Sequence, residues 1–412
     1  MDKKIKNIQY YKFSLYGFLK NLRFFDAFLI LFLVDKGLSY TEIGSLYAIR
    51  EIFINVFEIP SGIIADTYGR KRSLIGSLLV YIVSFLIFHW ASSYMLFLLA
   101  FILYGVGDAF RSGTHKGMIM DYLRMNQWDK YKINYYGHTR SWSQMGSAIS
   151  SLIAGILVFY SGKFGNIFLY SIVPYLINFL LIITYPEDLN YSIQKRKNKP
   201  GLLDNLKALR IVVKQRTVLN VVSTSAMHSA YLKAVKDYIQ PLMVNIAIAL
   251  PFLVGVAQEK KSGLIIGIIY FFIYLATSRA SQMASRVGAW NKRRIAIITL
   301  LIGFFFGIVT GIFYNYEWWI FSLFSFIGIY LIENIRKPIL TGYIAEKVPP
   351  EILTSVISVQ SLLKTVITAL LAFAFGILAD QIGIGLSFVV LSLLLAIISV
   401  LLAFVLREKE VR

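Results

Sequence analysis

The sequence predicts an all-α membrane protein with twelve transmembrane helices arranged as two pseudo-symmetric six-helix bundles. Three observations support this fold class: an apolar composition, apolar stretches of transmembrane length, and a polar central loop that separates two similar halves. Of the 412 residues, 57% are hydrophobic and only 16% are charged, and the mean hydropathy is +0.65. Soluble domains carry about 25% charged residues, so this composition is typical of a polytopic membrane protein.

Each apolar stretch is about 20 residues long, which is enough to cross the hydrocarbon core as a helix, and none alternates like a transmembrane β-strand. The first stretch follows several lysines, as a signal peptide would. Its internal charges and the missing small-residue cleavage site predict a retained span instead. The predicted spans are 13–35, 42–64, 73–92, 94–120, 141–161, 166–185, 217–246, 263–284, 295–314, 318–340, 353–379 and 384–406.

The formal net charge of +20 reflects membrane orientation rather than nucleic-acid binding. Only four of the basic residues fall in predicted outer segments: Lys36, Lys163, Lys260 and Lys261. An excess of Lys and Arg on one side marks the cytoplasmic face of a membrane protein. We therefore expect a multi-pass protein of the plasma (inner) membrane with both termini in the cytoplasm and no nucleic-acid partner.

The sequence offers no candidate catalytic, metal or cofactor site. It lacks cysteine, and its four histidines do not have the spacing of metal ligands. Gly105 and Gly107 form only an isolated Gly-x-Gly pair, with no phosphate-binding loop around them. No nucleophile, base and orienting group occur at a credible spacing. We expect neither an enzyme nor a bound cofactor or metal.

One long polar loop, residues 186–216, divides the predicted spans six and six. The predicted domains are therefore an N-terminal bundle (1–185), a cytoplasmic basic linker (186–216) and a C-terminal bundle (217–412). Leucines in the linker recur at helical spacing beside basic residues. This pattern predicts either a short helix lying on the inner membrane surface or a merely solvated linker.

The segment "GIIADTYGRKR" after the second span is repeated in degenerate form after the eighth span. The second copy, "SQMASRVGAWNKRR", aligns with the first on Gly69 and Gly288. An even number of spans in each half gives both halves the same orientation, which predicts parallel repeats related by an axis along the membrane normal. The candidate gating residues of the first copy are Gly62, Asp66, Gly69, Arg70 and Lys71.

This motif resembles the signature of the major facilitator superfamily, in which two glycines, an aspartate and several bases recur at the same spacing. The departure is Thr67, which stands where the family usually has a base. The resemblance implies alternating access by two rocking halves, with Asp66 contacting the eleventh span to latch the cytoplasmic side shut. An aspartate at the carboxyl end of a helix needs such a partner, because the exposed carbonyl groups repel it.

Many ionisable side chains fall inside the predicted spans, where one charge costs ~2.5–3.5 kcal/mol at the bilayer centre. Their helical spacing predicts narrow stripes, such as Asp108, Arg111 and His115 on one face of the fourth span. The family resemblance implies that the first, fourth, seventh and tenth spans line a central cavity. For any single charge, a static ion pair within the membrane is the alternative.

The candidate site residues form two groups with different chemistry. Arginine can bind carboxylate or phosphate in a bidentate manner, and a carboxylate away from a base can change its charge. The substrate-binding candidates are Arg23, Arg50, Arg111, His115, Lys233, Lys236 and Arg336. The coupling candidates are Asp26, Glu51, Glu58, Asp108, Asp237 and Glu333. Further bases within the predicted cavity are Lys20, Lys116 and Lys337.

The surplus of bases over acids favours an anionic or zwitterionic solute. The sequence therefore predicts a proton-coupled secondary active transporter, a monomer that moves a small polar solute by alternating access. Its expected partners are the solute, a proton or another coupling ion, and membrane lipids. Two alternatives stay open: a multidrug/proton antiporter of the same fold, and a transporter-like sensor that does not translocate. The fifth span lacks the Gly-Pro pair usual in drug exporters of this superfamily, which counts against the first alternative.

Overall fold

The computed structural model describes residues 5–190, 216–251, 255–287, 292–348 and 350–405, and in these ranges the regular structure is entirely helical. Residues 191–215 of the linker, which include the leucines of the predicted surface helix, lie outside the described residues, as does Gly288 of the second motif copy. The α-helices are α1 (Ile8–Leu19), α2 (Leu29–Asp35), α3 (Tyr40–Tyr68), α4 (Arg70–Trp90), α5 (Tyr94–Arg111), α6 (Thr114–Met125), α7 (Lys132–Ser161), α8 (Asn166–Ile183), α9 (Arg216–Val235), α10 (Ile239–Ala249), α11 (Gln258–Val287), α12 (Lys292–Asn315), α13 (Trp319–Lys347) and α14 (Pro350–Val405).

Eight described segments are long and apolar enough to cross a membrane. One of them, Val356–Leu402, has 47 residues, and Gly383 interrupts it with φ 82° and ψ 161°. At 1.5 Å per residue its length is more than twice the ~30 Å hydrocarbon core, so it accommodates two of the predicted spans. The first, second and seventh predicted spans fall outside the eight segments, since helix breaks or clustered charges interrupt them.

The first predicted span is not one continuous helix, so that part of the prediction was wrong. Helix α1 ends at Leu19, a short 3₁₀ turn covers Phe24–Ala27, and α2 begins at Leu29. The Asn21 amide fixes the break by donating to the carbonyl oxygens of Gly17 (3.0 Å) and Ser143 (2.8 Å). Helix breaks within a membrane are tolerated where neighbouring side chains satisfy the freed backbone groups.

The fourth and seventh predicted spans are also interrupted. Gly113, at φ +74°, separates α5 from α6, and a 3₁₀ turn at Lys236–Tyr238 separates α9 from α10. A glycine at positive φ is suited to such a break because it has no Cβ to clash with the backbone. The tenth predicted span, within α13, is continuous although it contains Pro338.

The described chain divides into two compact units. The first comprises Met1–Leu38, Ile49–Lys197 and Ala247–Tyr274, and the second comprises Ser39–Ala48, Asn198–Ile246 and Leu275–Arg412. In the first unit α4 packs against α5 and α8, and α1 packs against α7. In the second unit α12 packs against α13 and α14, and α9 packs against α14. The division into bundles at 1–185 and 217–412 stays a prediction.

Glycines of α12 allow close helix packing in the second unit, as their spacing of four predicts. A Cβ at Gly303 would collide with the imidazole of His228, and one at Gly307 would collide with Tyr231 and Ser392. Small residues at helix crossings let neighbouring backbones and side chains approach closely in membrane proteins. The glycines therefore fix how near α9 and α14 come to α12.

Candidate functional site

The break in the first span brings Arg23 and Asp26 into an ion pair of the first unit, with 2.8 Å between Nη2 and Oδ2. Arg23 also donates a hydrogen bond to the Tyr104 hydroxyl on α5. The two ion-paired side chains are 26% and 28% exposed, respectively. The pair is therefore only partly buried.

A second ion pair of the first unit joins Arg111 to Asp108, three residues earlier on α5, at 2.7 Å. The buried Tyr81 hydroxyl, from α4, donates to Asp108 and accepts from Arg111 Nε at 3.1 Å. The ring of Tyr81 can lie against α5 because Gly107 presents no side chain there. We call Arg23, Asp26, Tyr81, Tyr104, Asp108 and Arg111 the tyrosine–arginine cluster.

Arg50 of α3 also contacts this cluster. Its guanidinium lies 5.9 Å from the Tyr104 ring centroid and 6.0 Å from that of Phe101, within the range of a cation–π interaction. It also forms an ion pair of 3.3 Å with Glu51, which is fully buried. Four predicted candidates are thus tied to one set of aromatic rings: Arg23 of the break, Arg50 of α3, and Asp108 and Arg111 of α5.

The tyrosines of this cluster were missed by sequence reasoning. Tyr81, Tyr104 and Tyr175 are nearly inaccessible to solvent, and the ring centroids of Tyr81 and Tyr104 are 5.1 Å apart. The available signal was the presence of tyrosines in the third, fourth and sixth predicted spans. A tyrosine is amphipathic, however, so its presence in a span does not by itself predict a hydrogen bond to a charged group.

Asp108, Arg111 and His115 do not lie on one continuous helix, and that their side chains share a face stays a prediction. The break at Gly113 places His115 on α6, where its ring stacks on Tyr16 with centroids 3.9 Å apart. Its Nε2 lies 3.4 Å from the hydroxyl of Tyr185. This aromatic environment suits a packing role; a substrate-binding role stays a prediction.

The second unit contains a different polar group, formed by His228, Ser229 and Glu333, which we call the histidine–glutamate cluster. His228 Nδ1 lies 2.8 Å from Glu333 Oε2, and the Ser229 hydroxyl donates to the other carboxylate oxygen. His228 is completely buried and Glu333 is 7% exposed. Sequence reasoning selected Glu333 but missed His228, because α9 and α13 carry no local signal that pairs them.

Arg336 lies one helical turn beyond Glu333 and is 1% exposed. Its guanidinium donates to the carbonyl oxygens of Thr224 (2.7 Å) and Ala296 (3.2 Å) and to the Thr299 hydroxyl (3.3 Å). These contacts connect α13 to α9 and α12. A substrate-binding role for Arg336 stays a prediction, and in this conformation the guanidinium serves helix packing.

The remaining candidates of the seventh span lie near its break. Asp237 is buried, accepts a hydrogen bond of 3.0 Å from the Tyr47 hydroxyl and lies 3.3 Å from the Lys236 ammonium. Lys233 is partly buried, and Glu58 is exposed on α3. Their assignments to binding and coupling stay predictions.

The predicted gating motif forms the turn between α3 and α4. Gly69 adopts φ +101°, and a Cβ there would collide with the side chain of Asn190. Arg70 is buried and forms an ion pair of 2.5 Å with Asp121 of α6, while Asp66 lies 3.8 Å from Arg70 Nε. Gly62 lies within α3. The predicted contact of Asp66 with the eleventh span is untested.

The segment after α8 is held against this turn. Lys71 Nζ lies 2.5 Å from Glu187 and donates to the Tyr185 carbonyl at 3.1 Å, and its backbone amide donates to the Asn190 side chain at 3.1 Å. The hydrogen bond from Lys71 lowers the pKa of the Glu187 carboxyl below its ordinary value, and the lysine charge acts in the same direction. The start of the predicted linker is thus fixed to the predicted gate.

The charged clusters, the broken spans and the all-helical fold define a class, the polytopic membrane transporters. In the described part of the chain, no group of three His, Asp or Glu side chains could hold a metal ion. The family model described as Major Facilitator Superfamily matches residues 17–363. The chain belongs to this superfamily, and the predicted family and fold class are confirmed.

Curated relatives and solved structures agree with this assignment. The uncharacterized MFS-type transporter YxaM of Bacillus subtilis is 22% identical over 373 residues, covering 89% of this chain and 88% of its own. The raffinose permease of Escherichia coli is 31% identical over 184 residues, covering 40% and 41% of the two chains. A crystal structure of the nucleoside transporter NupG superposes with a TM-score of 0.74 at 14% identity, covering 97% of this chain and 98% of that chain. The structural likeness shows the fold alone.

Proposed function

We propose that this chain is a proton-coupled secondary active transporter for a small anionic or zwitterionic solute. The observation that carries the proposal is the tyrosine–arginine cluster, in which two arginine–carboxylate pairs lie partly exposed within apolar helices. Placing charges at this depth is costly, and ionisable groups in transmembrane segments mark solute and ion pathways. Arginine recognises carboxylate and phosphate groups through paired hydrogen bonds.

We further propose that residues 1–185 and 217–412 move against each other in the plasma membrane. In this proposal both termini are cytoplasmic, a monomer is the functional unit, and the motif turn at Asp66 controls access from the cytoplasm. The names of the relatives support a range of solutes: a raffinose permease and a hexuronate transporter of Bacillus subtilis are among them. An antiporter of Planococcus maritimus for sodium, lithium and potassium ions against protons supports coupling to protons.

The buried histidine–glutamate cluster supports proton coupling. Glu333 accepts from His228 and Ser229 in a nearly inaccessible site. A carboxylate–imidazole pair in such surroundings can hold or release one proton without unfolding the helices around it, because both partners stay hydrogen-bonded in either protonation state. We assign the proton step to this cluster and solute recognition to the tyrosine–arginine cluster.

Counterflow in proteoliposomes tests the proposal. Vesicles containing the full chain are loaded with single solutes from a panel of organic anions, zwitterions and neutral sugars, then diluted into the labelled solute. We expect transient accumulation of label for at least one anion or zwitterion, absent from protein-free vesicles. A pH gradient should then drive net accumulation, and a protonophore should abolish it.

The outcomes separate the proposal from its alternatives. Counterflow with large apolar cations alone would indicate a multidrug antiporter. Failure to exchange any member of the panel, by protein that remains folded in the vesicles, would favour a sensor that does not translocate. Counterflow without net accumulation under a pH gradient would support transport and contradict coupling to protons.

A further inference from the structure

The two ring nitrogens of His228, in the histidine–glutamate cluster, have different surroundings. Nδ1 lies 2.8 Å from Glu333 Oε2, whereas Nε2 is buried and makes no hydrogen bond within the described residues. A neutral imidazole carries a hydrogen on one nitrogen and a lone pair on the other. Because the Glu333 carboxylate accepts a hydrogen bond from Nδ1, Nε2 carries the lone pair in this conformation.

Gly303 of α12 covers Nε2. A Cβ at position 303 would overlap Nε2 and Cδ2 of the imidazole, and a Cβ lies only about 1.5 Å from its Cα. The backbone of Gly303 is therefore in contact with the unpartnered nitrogen, and no space for a water molecule remains between them. The ring of Phe304, on the same helix, lies 5.9 Å from the imidazole between ring centroids and covers it further.

The polar atoms around Nε2 are already engaged with other partners. The Ser229 hydroxyl donates to Glu333 Oε1, and Oε2 accepts from His228 Nδ1. The Tyr231 hydroxyl, on the same helix as His228, lies 2.6 Å from Ser392 Oγ of α14. Since Nδ1 already carries a hydrogen, a further proton on the imidazole can bind only at Nε2.

Among the described residues, the charged groups that face His228 lie on α13. Glu333 is hydrogen-bonded to the imidazole, and Arg336 lies one helical turn farther along, within electrostatic reach. On its own helix the titratable neighbour is Tyr231, with ring centroids 6.3 Å apart, and α12 presents a glycine and a phenylalanine that cannot be charged. A proton on Nε2 would place a second cation near Arg336 and an N–H group without an acceptor, both of which cost free energy.

We propose that His228 Nε2 is the atom that takes up the coupling proton, and that Gly303 is the positioning residue that prevents uptake until α12 moves away from α9. The inference rests on the proposed proton-coupled transport and deepens it. Once the two helices separate, water can deliver the proton to Nε2 and accept the hydrogen bond of the new N–H group. Uptake is then restricted to one conformation, and such a difference in binding is what ties a proton to a conformational change.

Nitrogen NMR of the full chain in detergent micelles tests the proposal without measuring transport. The four histidines are labelled with ¹⁵N, and the signals that are missing from His228→Asn identify His228. At about pH 8, above the range in which an ordinary histidine is charged, the chemical shifts of wild type should show a hydrogen on Nδ1 and a lone pair on Nε2. A hydrogen on Nε2 at this pH would overturn the proposal.

Variants of α12 test the role of Gly303. In Gly303→Ala the methyl group displaces the imidazole, so Nε2 should bind a proton about tenfold more tightly than in wild type, because the protonated ring can then be hydrated. Phe304→Ala exposes the ring without adding an atom and should act in the same direction, so the test does not depend on the folding of Gly303→Ala.

Gly311→Ala is the matched packing control. Its Cβ would overlap groups of α14 and not the imidazole, so its His228 should titrate as in wild type. Titration of His228 that is the same in wild type, Gly303→Ala and Phe304→Ala would refute the role of Gly303. A change in Gly311→Ala as large as that in Gly303→Ala would indicate a general packing defect and would also refute it.

Counterflow and accumulation in proteoliposomes separate this inference from the proposed function. Gly303→Ala should exchange solute but lose accumulation driven by a pH gradient, because Nε2 then reaches water in every conformation. Wild-type accumulation by Gly303→Ala, with His228 titrating as expected, would refute Nε2 as the site of the coupling proton. If wild type exchanges no solute although the NMR results are as expected, the role of Gly303 is supported and transport is refuted. If wild type accumulates solute with protons although Nε2 carries the hydrogen, transport is supported and the role of Gly303 is refuted.

Discussion

The tyrosine–arginine cluster and the histidine–glutamate cluster both place charges inside apolar helices, but they do so in opposite ways. In the first, arginines pair with carboxylates that remain partly exposed, and Lys20 beside them is unpaired among the described residues. In the second, Glu333 is nearly inaccessible and the neighbouring Arg336 donates hydrogen bonds to carbonyl groups of other helices. In the proposed function, the first arrangement exchanges a partner for a ligand and the second exchanges a proton.

The helices that supply the arginines and carboxylates of the two clusters differ in the same direction. Both spans that supply the tyrosine–arginine pairs are broken, next to Arg23 and directly after Arg111. The helix that supplies Glu333 and Arg336 is continuous over Trp319–Lys347. Broken helices present backbone groups and side chains to a cavity. In a continuous helix, the backbone groups are hydrogen-bonded within the helix.

The largest expected effect is on folding of the second unit. Arg336→Met removes the donor to three oxygen atoms of α9 and α12, so unfolding should become easier by about 3 kcal/mol or more. Thermal unfolding in detergent measures this change. Lys337→Met, at the exposed neighbouring position, is the control and should leave Tm unchanged. A variant of Arg336 with wild-type Tm and lost binding would mean that Arg336 recognises the solute.

Arg111→Ala should reduce transport and leave the protein folded, in contrast to Arg336→Met. Loss of the charged donor beside Asp108 should lower the exchange rate about 100-fold or more, since two charge-assisted hydrogen bonds to an anion are lost. Counterflow measures the rate, and gel filtration checks that the protein stays folded. Arg124→Ala is the control, because Arg124 forms an ion pair of the same spacing with Asp121 but is 46% exposed. Unchanged exchange would exclude Arg111 from the site.

Glu333→Gln tests whether the second cluster carries the proton. Glutamine keeps the hydrogen-bonding shape but cannot gain or lose a proton, so counterflow should persist while accumulation driven by a pH gradient disappears. His228→Asn should behave in the same way. Glu346→Gln, on the exposed part of α13, should accumulate solute normally. If Glu333→Gln accumulated solute at the wild-type level, a group other than Glu333 would carry the coupling proton.

The smallest effect concerns the salt bridge between Lys71 and Glu187, which lies outside both clusters. Because the pKa of Glu187 is lowered in the folded protein, its contribution to stability is present above its ordinary pKa of 4.5 and is lost as pH falls through the lowered value. Glu187→Gln should therefore lower Tm slightly at pH 7 and not at all in acid. Asp188→Asn is the exposed control. A Tm difference that persists in acid would show that the carboxylate charge is not its cause.

The fold and the motif were predictable from the sequence because both depend on local patterns. Apolar stretches of fixed length specify membrane helices, and the spacing from Gly62 to Arg70 specifies the family. The pairing of Asp108 with Arg111 also followed from helical spacing, since residues three apart are neighbours on a helix. These features depend on residues close together in the sequence and not on contacts with another helix.

What the sequence did not reveal depends on contacts between distant segments. The break after Leu19 is held by Asn21 bonding to Ser143 of α7, and His228 meets Glu333 only when α9 and α13 pack together. Tyr81 and Tyr104 were missed because tyrosine is equally common as a packing residue. Each of these required the position of a second helix, which hydropathy does not encode.

The absence of a side chain at Gly107 has a consequence for protein engineering. A methyl group at this position would come within 3.2 Å of the Tyr81 ring, so alanine would displace the phenol by only a few tenths of an ångström. Since that phenol donates a hydrogen bond to Asp108, such a substitution would shift the position of the Asp108 carboxylate slightly. Gly107→Ala would therefore shift the cluster that we propose to recognise the solute without altering any charge.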